Sequence, residues 1–416
     1  MISFRINKCI LGNEDCSNPQ RMYKLDNLFG NLENKLNKVK TRQDSYFENK
    51  DFLKQKFAFD IFRKMKYKLA KHTNAQNISN AWLKIYELVH QFNLIDENKK
   101  KLVHFDNAAF PGSFILGTNH YVKTMTKVNY YRWYGSSWIG YNNEKRKTGD
   151  LLEDKYNLYK NYPKFWLMNK KYDGNVNNIE NQLYWKNRLN NSVDLYTSDL
   201  GFETGANNDY SKQEYSHVQP NIGQTLTGIL TLKRGGHLVV KQYTYFNSLN
   251  ISLYAVLTNL FEEVYICKPI TSRPPNSETY VLCKGFLGPF NSNEVGYKLV
   301  KLIENKIRNF DMKPLIYKRC LSEDFLDVII RSLTFFVERQ ITYINKRLDW
   351  YDSIKNLPNR SNIKQKKGEQ KLKEWKGKII KTWSKENPVY KLKNYQKIRN
   401  TTEYLTKKTK KKTIII

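Results

Sequence analysis

The chain is short of several things. Among its 416 residues no run of 18 or more apolar residues occurs, so no transmembrane helix is expected. Its first residues, MISFRINKCILGNEDCSNP, carry Arg5 and Lys8 with no long apolar stretch behind them, so no secretory signal is expected. There are five cysteines (Cys9, Cys16, Cys267, Cys283 and Cys320), an odd number at wide spacing and without a CxxC pair. That pattern argues against a disulfide framework or a structural zinc and for a reducing, cytoplasmic compartment. The six histidines show no metal-ligand spacing and read as structural. Acid is also scarce: 39 Asp and Glu face 71 Lys and Arg, a net charge of +32. Such an excess points to a polyanionic partner, nucleic acid first. An AT-rich coding bias would account for many lysines, but not for the missing acid.

What is present is an alternation of strand-like and helical patterns. From Ser79 to Ile95, Trp82, Ile85, Tyr86, Val89 and Phe92 recur at three- and four-residue spacing, with Ser79 or Asn80 as cap. Buried-strand runs follow at Lys101–Asp106, Tyr130–Tyr134, Val193–Asp199, His237–Lys241, Val264–Lys268 and Thr279–Phe286. Helices are expected between several of them, at Ile222–Leu232, stopped by the Lys233-Arg234-Gly235-Gly236 run, and at Leu249–Phe261. This is the pattern of a doubly wound α/β sheet, whose ligands sit at the carboxyl ends of the strands. Residues 1–70 read as a polar, helical extension, with an amphipathic helix around Phe52–Leu69, and residues 71–300 as the α/β domain. Residues 301–416 read as a helical, basic region, with one long helix at Ser322–Tyr351. From Tyr351 to Ile416 there are 20 Lys and Arg against 5 Asp and Glu, a basic tail suited to an RNA backbone or an acidic protein.

Charged residues at strand ends are the candidates for chemistry. Asp199 ends VDLYTSD, Lys241 ends HLVVK, and Glu278 precedes the last strand in SRPPNSETY. Lys84, on the polar side of the first helix, is placed to reach the same edge. Two lysines and two carboxylates suit removal of a proton from a weak acid. Burial and a second cation lower a lysine's pKa, while carboxylates fix its direction. Taken singly each residue has an ordinary reading: a solvated helix lysine, a turn aspartate, a surface ion pair of Glu278 with Arg273. The aromatic stretch NYYRWYGSSW offers rings for base stacking, and more ordinarily core and rim packing.

The order Lys, Asp, Lys, Glu, together with AWLKIYELV, FPGSFI, LYTSDLG, DYSKQE, GQTLTGILTLKRGG, FEEVYICKP and SRPPNSETY, resembles the FtsJ-like ribose 2′-O-methyltransferases over roughly residues 75–290. Within them it is most similar to the mRNA-capping group of African swine fever virus and other large cytoplasmic DNA viruses. The resemblance implies a Rossmann-like methyltransferase fold with a mostly parallel seven-stranded sheet, and S-adenosylmethionine as cofactor. It implies Lys241 as general base, with Lys84, Asp199 and Glu278 completing the site. It places the cofactor on Asp106, Ala108, Ala109, Phe110, Pro111, Gly112, Ser113 and Phe114, with Ser136 and Ser137 near its ribose, Asp173 and Asn175 of the DGNV turn near its adenine, and Asp199 beside it. Two positions depart from the usual pattern: Ala108 stands where glycine is common, and Phe110 where a smaller residue is. The implied activity is methylation of the first transcribed nucleotide of capped viral mRNA in the host cytoplasm or virion. The alternatives are ribosomal or transfer RNA methylation, or an RNA-binding accessory subunit of a capping or polymerase complex.

Overall fold

Apolar side chains on alternate strand residues divide this molecule into two cores, one on each face of a single sheet. The structure, a computed structural model, describes residues 1–11, 19–50, 52, 60–139, 154–201, 213–355 and 363–398. Its main elements in chain order are β1 (Ile2–Ile6), α1 (Pro19–Phe47), α2 (Arg63–Thr73), α3 (Asn80–Gln91), β2 (Lys101–Asn107), α4 (Ser113–Met125), β3 (Tyr130–Ser136), α5 (Ile179–Leu189), β4 (Val193–Ser198), α6 (Gln213–Thr231), β5 (Leu232–Gln242), α7 (Ser248–Leu260), β6 (Phe261–Lys268), β7 (Thr279–Phe286), α8 (Val295–Arg308), α9 (Glu323–Lys355) and α10 (Ile363–Glu386). Ser79 caps α3, its hydroxyl accepting from the Trp82 amide at 3.0 Å. Along the strands, successive side chains point to opposite faces. Leu195, Val239 and Leu282 join a core with α3, α4 and Trp383 of α10. Tyr196, Val240 and Val281 join the other, with residues of α6, α7, α8 and α9.

The sheet order is β1-β6-β7-β5-β4-β2-β3. The α/β expectation stands, but the sheet is less parallel than expected. The pairings β2–β3, β2–β4 and β4–β5 are parallel, whereas β5–β7, β6–β7 and β1–β6 are antiparallel. The reason is local: β6 and β7 are joined by ten residues without a helix, too short for the crossover that a parallel pair needs. Two more differences concern short segments. The N-terminal region contributes an edge strand as well as helix, because ISFRI alternates, and Ile6 is buried. Lys233-Arg234-Gly235-Gly236 follows the end of α6 at Thr231, as expected of a helix stop, but is itself part of β5, which starts before the expected His237. Gly235 there takes φ +74°, at a strand whose register with β4 shifts between Val193 and Leu195.

The C-terminal helices are docked. Trp383 is fully buried and donates its indole N–H to Glu87 at 3.0 Å. Glu87, itself fully buried, also accepts from the Ile270 and Thr271 amides and the Thr271 hydroxyl. Beyond it, Pro388, Tyr390 and Leu392 are tied through their main chains to Tyr86, His120 and Thr73. Among the described residues no helix is long and apolar enough to cross a membrane. The stretches 53–59 of the expected Phe52–Leu69 helix, 209–212 of the DYSKQE motif, and 399–416 of the basic tail lie outside the described residues.

Candidate active site

The ends of β2, β4 and β5 and the start of β7 share one edge of the sheet, and the four charged residues meet there. Lys241 Nζ donates to the Asp199 main-chain oxygen at 2.9 Å and lies 3.3 Å from its Oδ1. Lys84 Nζ is 2.9 Å from Glu278 Oε2 and 3.4 Å from Asp199 Oδ2. Asp199 therefore bridges the two lysines. Its side chain is 19% exposed against 9% for the other three, so the bridge is the part of the cluster most open to a substrate. Glu278 pairs with Lys84, not with Arg273. The helix that carries Lys84 differs from its expected character: Trp82 to Val89 are all buried, so Lys84 is enclosed rather than on a solvated side.

Several residues that sequence reasoning passed over complete the cluster. Tyr280 OH donates to Asp199 Oδ1 at 2.7 Å. It stands two residues after Glu278, and strand periodicity would have put both on one face. Ser272 Oγ donates to Glu278 Oε1 at 2.7 Å. Lys268, at the end of β6, donates to Asn276 O and Oδ1 at 2.8 Å each and to the Glu278 carbonyl at 2.6 Å. Burial pushes Lys268 down to about 7, while three acceptors match the three N–H bonds of its charged form. Burial alone would raise the Glu278 carboxyl, but the charges of Lys84, Lys241 and Lys268 outweigh it and hold the group below the usual carboxylate range. Gly201 ends the LYTSDLG motif; a Cβ there would lie 2.7 Å from Lys241 Nζ, so glycine leaves the space that the amine occupies.

Next to this cluster, the loop after β2 turns sharply. Ala108 adopts φ +55°, the left-handed region where glycine was expected. Asn107 Oδ1 accepts from its amide at 2.7 Å. Ala109 and Phe110 amides bond to Ser136 O and Ser137 Oγ. The Phe110 ring turns away to pack on Trp166 with centroids 4.5 Å apart, so its bulk does not have to fill the loop. Pro111 follows, and Gly112, at φ +106°, opens α4. Ser113 accepts from the Ser79 hydroxyl, and Phe114 is buried in the core. Ser136 is fully buried with its hydroxyl toward the Leu167 carbonyl at 3.4 Å. In the DGNV turn, Asp173 accepts from the Asn175 amide, the Asn181 side chain and the Trp138 indole. A Cβ on Gly174 would fall 2.1 Å from Ser137 O, so this turn lies directly against the end of β3.

A buried chain underlies the loop. Thr197 Oγ1 donates to Asp106 Oδ1 at 2.6 Å, which leaves it to accept from His104 Nε2 at 2.7 Å; His104 Nδ1 then accepts from Tyr131 OH at 2.8 Å. Burial drives His104 down to about 3, so it is neutral. Burial also pushes the Asp106 carboxyl well up, against the Thr197 hydrogen bond and with the help of the Asp199 charge. Among the described residues, Asp106 Oδ2, Asn107 Nδ2 and Ser198 Oγ, at the ends of adjacent strands, make no hydrogen bond within 3.5 Å. Left-over donors and acceptors at this point fit a polar ligand with many hydrogen-bonding groups, as a cofactor with an amino-acid end and a nucleoside end has.

Among the described residues no group of His, Cys, Asp and Glu is arranged to hold a metal ion, and Cys9, Cys267, Cys283 and Cys320 are free. The probable methyltransferase EP424R of African swine fever virus is 32% identical over 77% of this chain and 76% of its own length. The cap-specific mRNA (nucleoside-2'-O-)-methyltransferase 2 of Drosophila melanogaster is 27% identical over 73% of this chain and 43% of its own. Methyltransferases of this kind use S-adenosylmethionine. Residues 78–286 match the FtsJ-like methyltransferase family, which spans every strand from β2 to β7 and all four clustered charges, and the chain belongs to that family.

Proposed function

We propose that this methyltransferase acts on a ribose 2′-oxygen of RNA, and that its substrate is the first transcribed nucleotide of capped viral mRNA. The observation that carries the reading is the bridged pair of lysines: Lys241 and Lys84 on either side of Asp199, with Glu278 on the far side of Lys84. S-adenosylmethionine, when bound, supplies the electrophilic methyl group. The residues that would hold it are Asp106 to Gly112, with Ser136, Asp173, Asn175 and Asp199 around them. The rest of the chemistry belongs to the chain. A ribose hydroxyl is a poor nucleophile until its proton leaves, and Lys241 is the group that takes it. The Asp199 carbonyl, accepting at 2.9 Å, fixes where the Lys241 Nζ points. Lys84, held by Glu278 at 2.9 Å and Asp199 at 3.4 Å, stabilises the charge that develops on the oxygen.

The names of the relatives support mRNA caps as the target, and the net charge of +32 supports a polyanionic substrate. The host cytoplasm or the virion is the compartment that this reading requires. The test is methyl transfer to short capped and uncapped RNAs with the modified atom mapped. Transfer to the 2′-oxygen of the first nucleotide of capped RNA is expected. Equal activity on uncapped RNA refutes the cap assignment, and a methylated base refutes the ribose assignment.

A further inference from the structure

A second opening lies behind Glu278. It is a cleft of about 380 Å³ between the segment after β6 and helices α9 and α10. Its floor belongs to the site: Lys268 and Ser272, which both bond Glu278, line it. Its walls carry Arg339 and Tyr343 from α9 and Trp375 and Lys378 from α10. The Tyr343 and Trp375 rings are 6.1 Å apart at 39°, and Arg339 lies 4.9 Å above the Tyr343 ring. Three cations and no acid line the cleft, and among the described residues neither Arg339 nor Lys378 forms an ion pair. Arg339 also lies close enough to disfavour the Lys268 charge, which Glu278 favours. Two cations without an acid partner, Arg339 and Lys378, beside partly exposed aromatic rings are the combination that single-stranded nucleic acid satisfies, phosphate on the cations and base on the rings. The volume is at the lower end of ligand sites, about 300–1,000 Å³, which suits one nucleotide and not a duplex.

We infer that this cleft takes a nucleotide of the RNA substrate close to the methylated one, its phosphate between Arg339 and Lys378 and its base against Trp375 and Tyr343. The inference rests on the reading of RNA as substrate. It assigns a role to helices that lie outside the stretch matching the family, since α9 and α10 begin after residue 286.

The test compares wild type with Arg339→Gln/Lys378→Gln and with Lys186→Gln/Arg188→Gln, which removes two exposed charges of α5. At about 0.7 counterion per phosphate contact, two lost contacts make log K less steep in log salt by about 1.4 and weaken binding about tenfold near physiological salt. The KM for a short capped RNA is therefore expected to rise about tenfold in the cleft variant, with kcat and cofactor affinity kept, and to change little in the α5 variant. Trp375→Leu is expected to raise KM without altering the salt slope. RNA carrying 4-thiouridine near its 5′ end is expected to crosslink within residues 339–382. A cleft variant that matches either wild type or the α5 variant overturns the inference. So does crosslinking confined to other segments, or equal displacement of the RNA by a polyglutamate peptide. If wild type methylates no RNA yet crosslinks in the cleft, the proposed function fails and the cleft assignment stands.

Discussion

Gly201→Ala isolates the position of one amine from everything else in the site. An alanine Cβ at this position would sit 2.7 Å from Lys241 Nζ, 3.0 Å from Tyr243 OH and 3.3 Å from Lys241 Cε. Unstrained contact begins at about 3.5 Å, so Nζ has to retreat by roughly 0.8 Å. Lys241 Nζ is the far end of a flexible side chain, and the retreat costs the fold little. It costs the chemistry more. A shift of that size breaks the 2.9 Å hydrogen bond to the Asp199 carbonyl that aims the amine. A misplacement of about 1 Å lowers a rate by about 100-fold, equivalent to about 2.7 kcal/mol in the barrier. Single-turnover transfer of a labelled methyl group to short capped RNA measures it, with thermal melting and calorimetric cofactor binding as controls. The expected result is a loss near 100-fold with melting and cofactor affinity nearly unchanged. The double variant with Lys241→Ala is expected to be no slower than Lys241→Ala alone, because both changes act through one amine. A Gly201→Ala rate within about threefold of wild type, or additive losses in the double variant, would refute the assignment of Lys241 as the positioned base.

Four further changes probe the rest of the structure. Lys241→Ala is expected to slow transfer by about 10²- to 10⁴-fold while RNA binding, followed by fluorescence anisotropy, persists; unchanged transfer removes Lys241 from the mechanism. Glu278 has a folded-state pKa below its unfolded value, so its stabilising contribution is present above about pH 4.3 and is lost as pH falls through the folded value. Glu278→Gln is therefore expected to melt below wild type at neutral pH, with the gap narrowing in acid; a gap constant from pH 7 down to 3 contradicts the charge network. Trp383→Ala is expected to cost about 3–5 kcal/mol in denaturant unfolding, because it opens a cavity and takes a donor from buried Glu87. Deletion of residues 399–416, which carry six Lys and Arg and one Glu, is expected to flatten the salt dependence of RNA binding; an unchanged salt slope removes the tail from the RNA contact.

The expected RNA arm at 351–416 illustrates what composition hides. Its charge count is correct, but charge does not show which residues are buried. Trp383 is one aromatic among lysines, and its partner Glu87 is nearly 300 positions away, so no local period marks the contact. Removing the whole segment would therefore disturb the core as well as any RNA contact. Lys268 was hidden in the same way: its three acceptors come from a loop that folds back on it. Strand positions, in contrast, were legible because short apolar runs are bounded by polar residues and turns, and Thr279–Phe286 matches β7. Lys84 was legible from its place on the first helix; its burial was not, because α3 is packed all round and its apolar stripe marked only one of its contacts.

The strand directions explain how four distant charges meet. Lys241 and Asp199 come at or just after the ends of parallel strands, and so lie at one edge of the sheet. Glu278 comes before its strand. In a wholly parallel sheet a residue in that position would lie at the opposite edge, a strand length from the lysines. Because β7 runs antiparallel to β5, with Lys241 opposite Tyr280 and Gln242 opposite Thr279, the residue before β7 returns to the lysine edge. The same pairing brings Tyr280 across from Lys241, where its hydroxyl reaches Asp199. The reversal of β7 is thus what brings the fourth charge to the site; a wholly parallel sheet would have left it at the opposite edge.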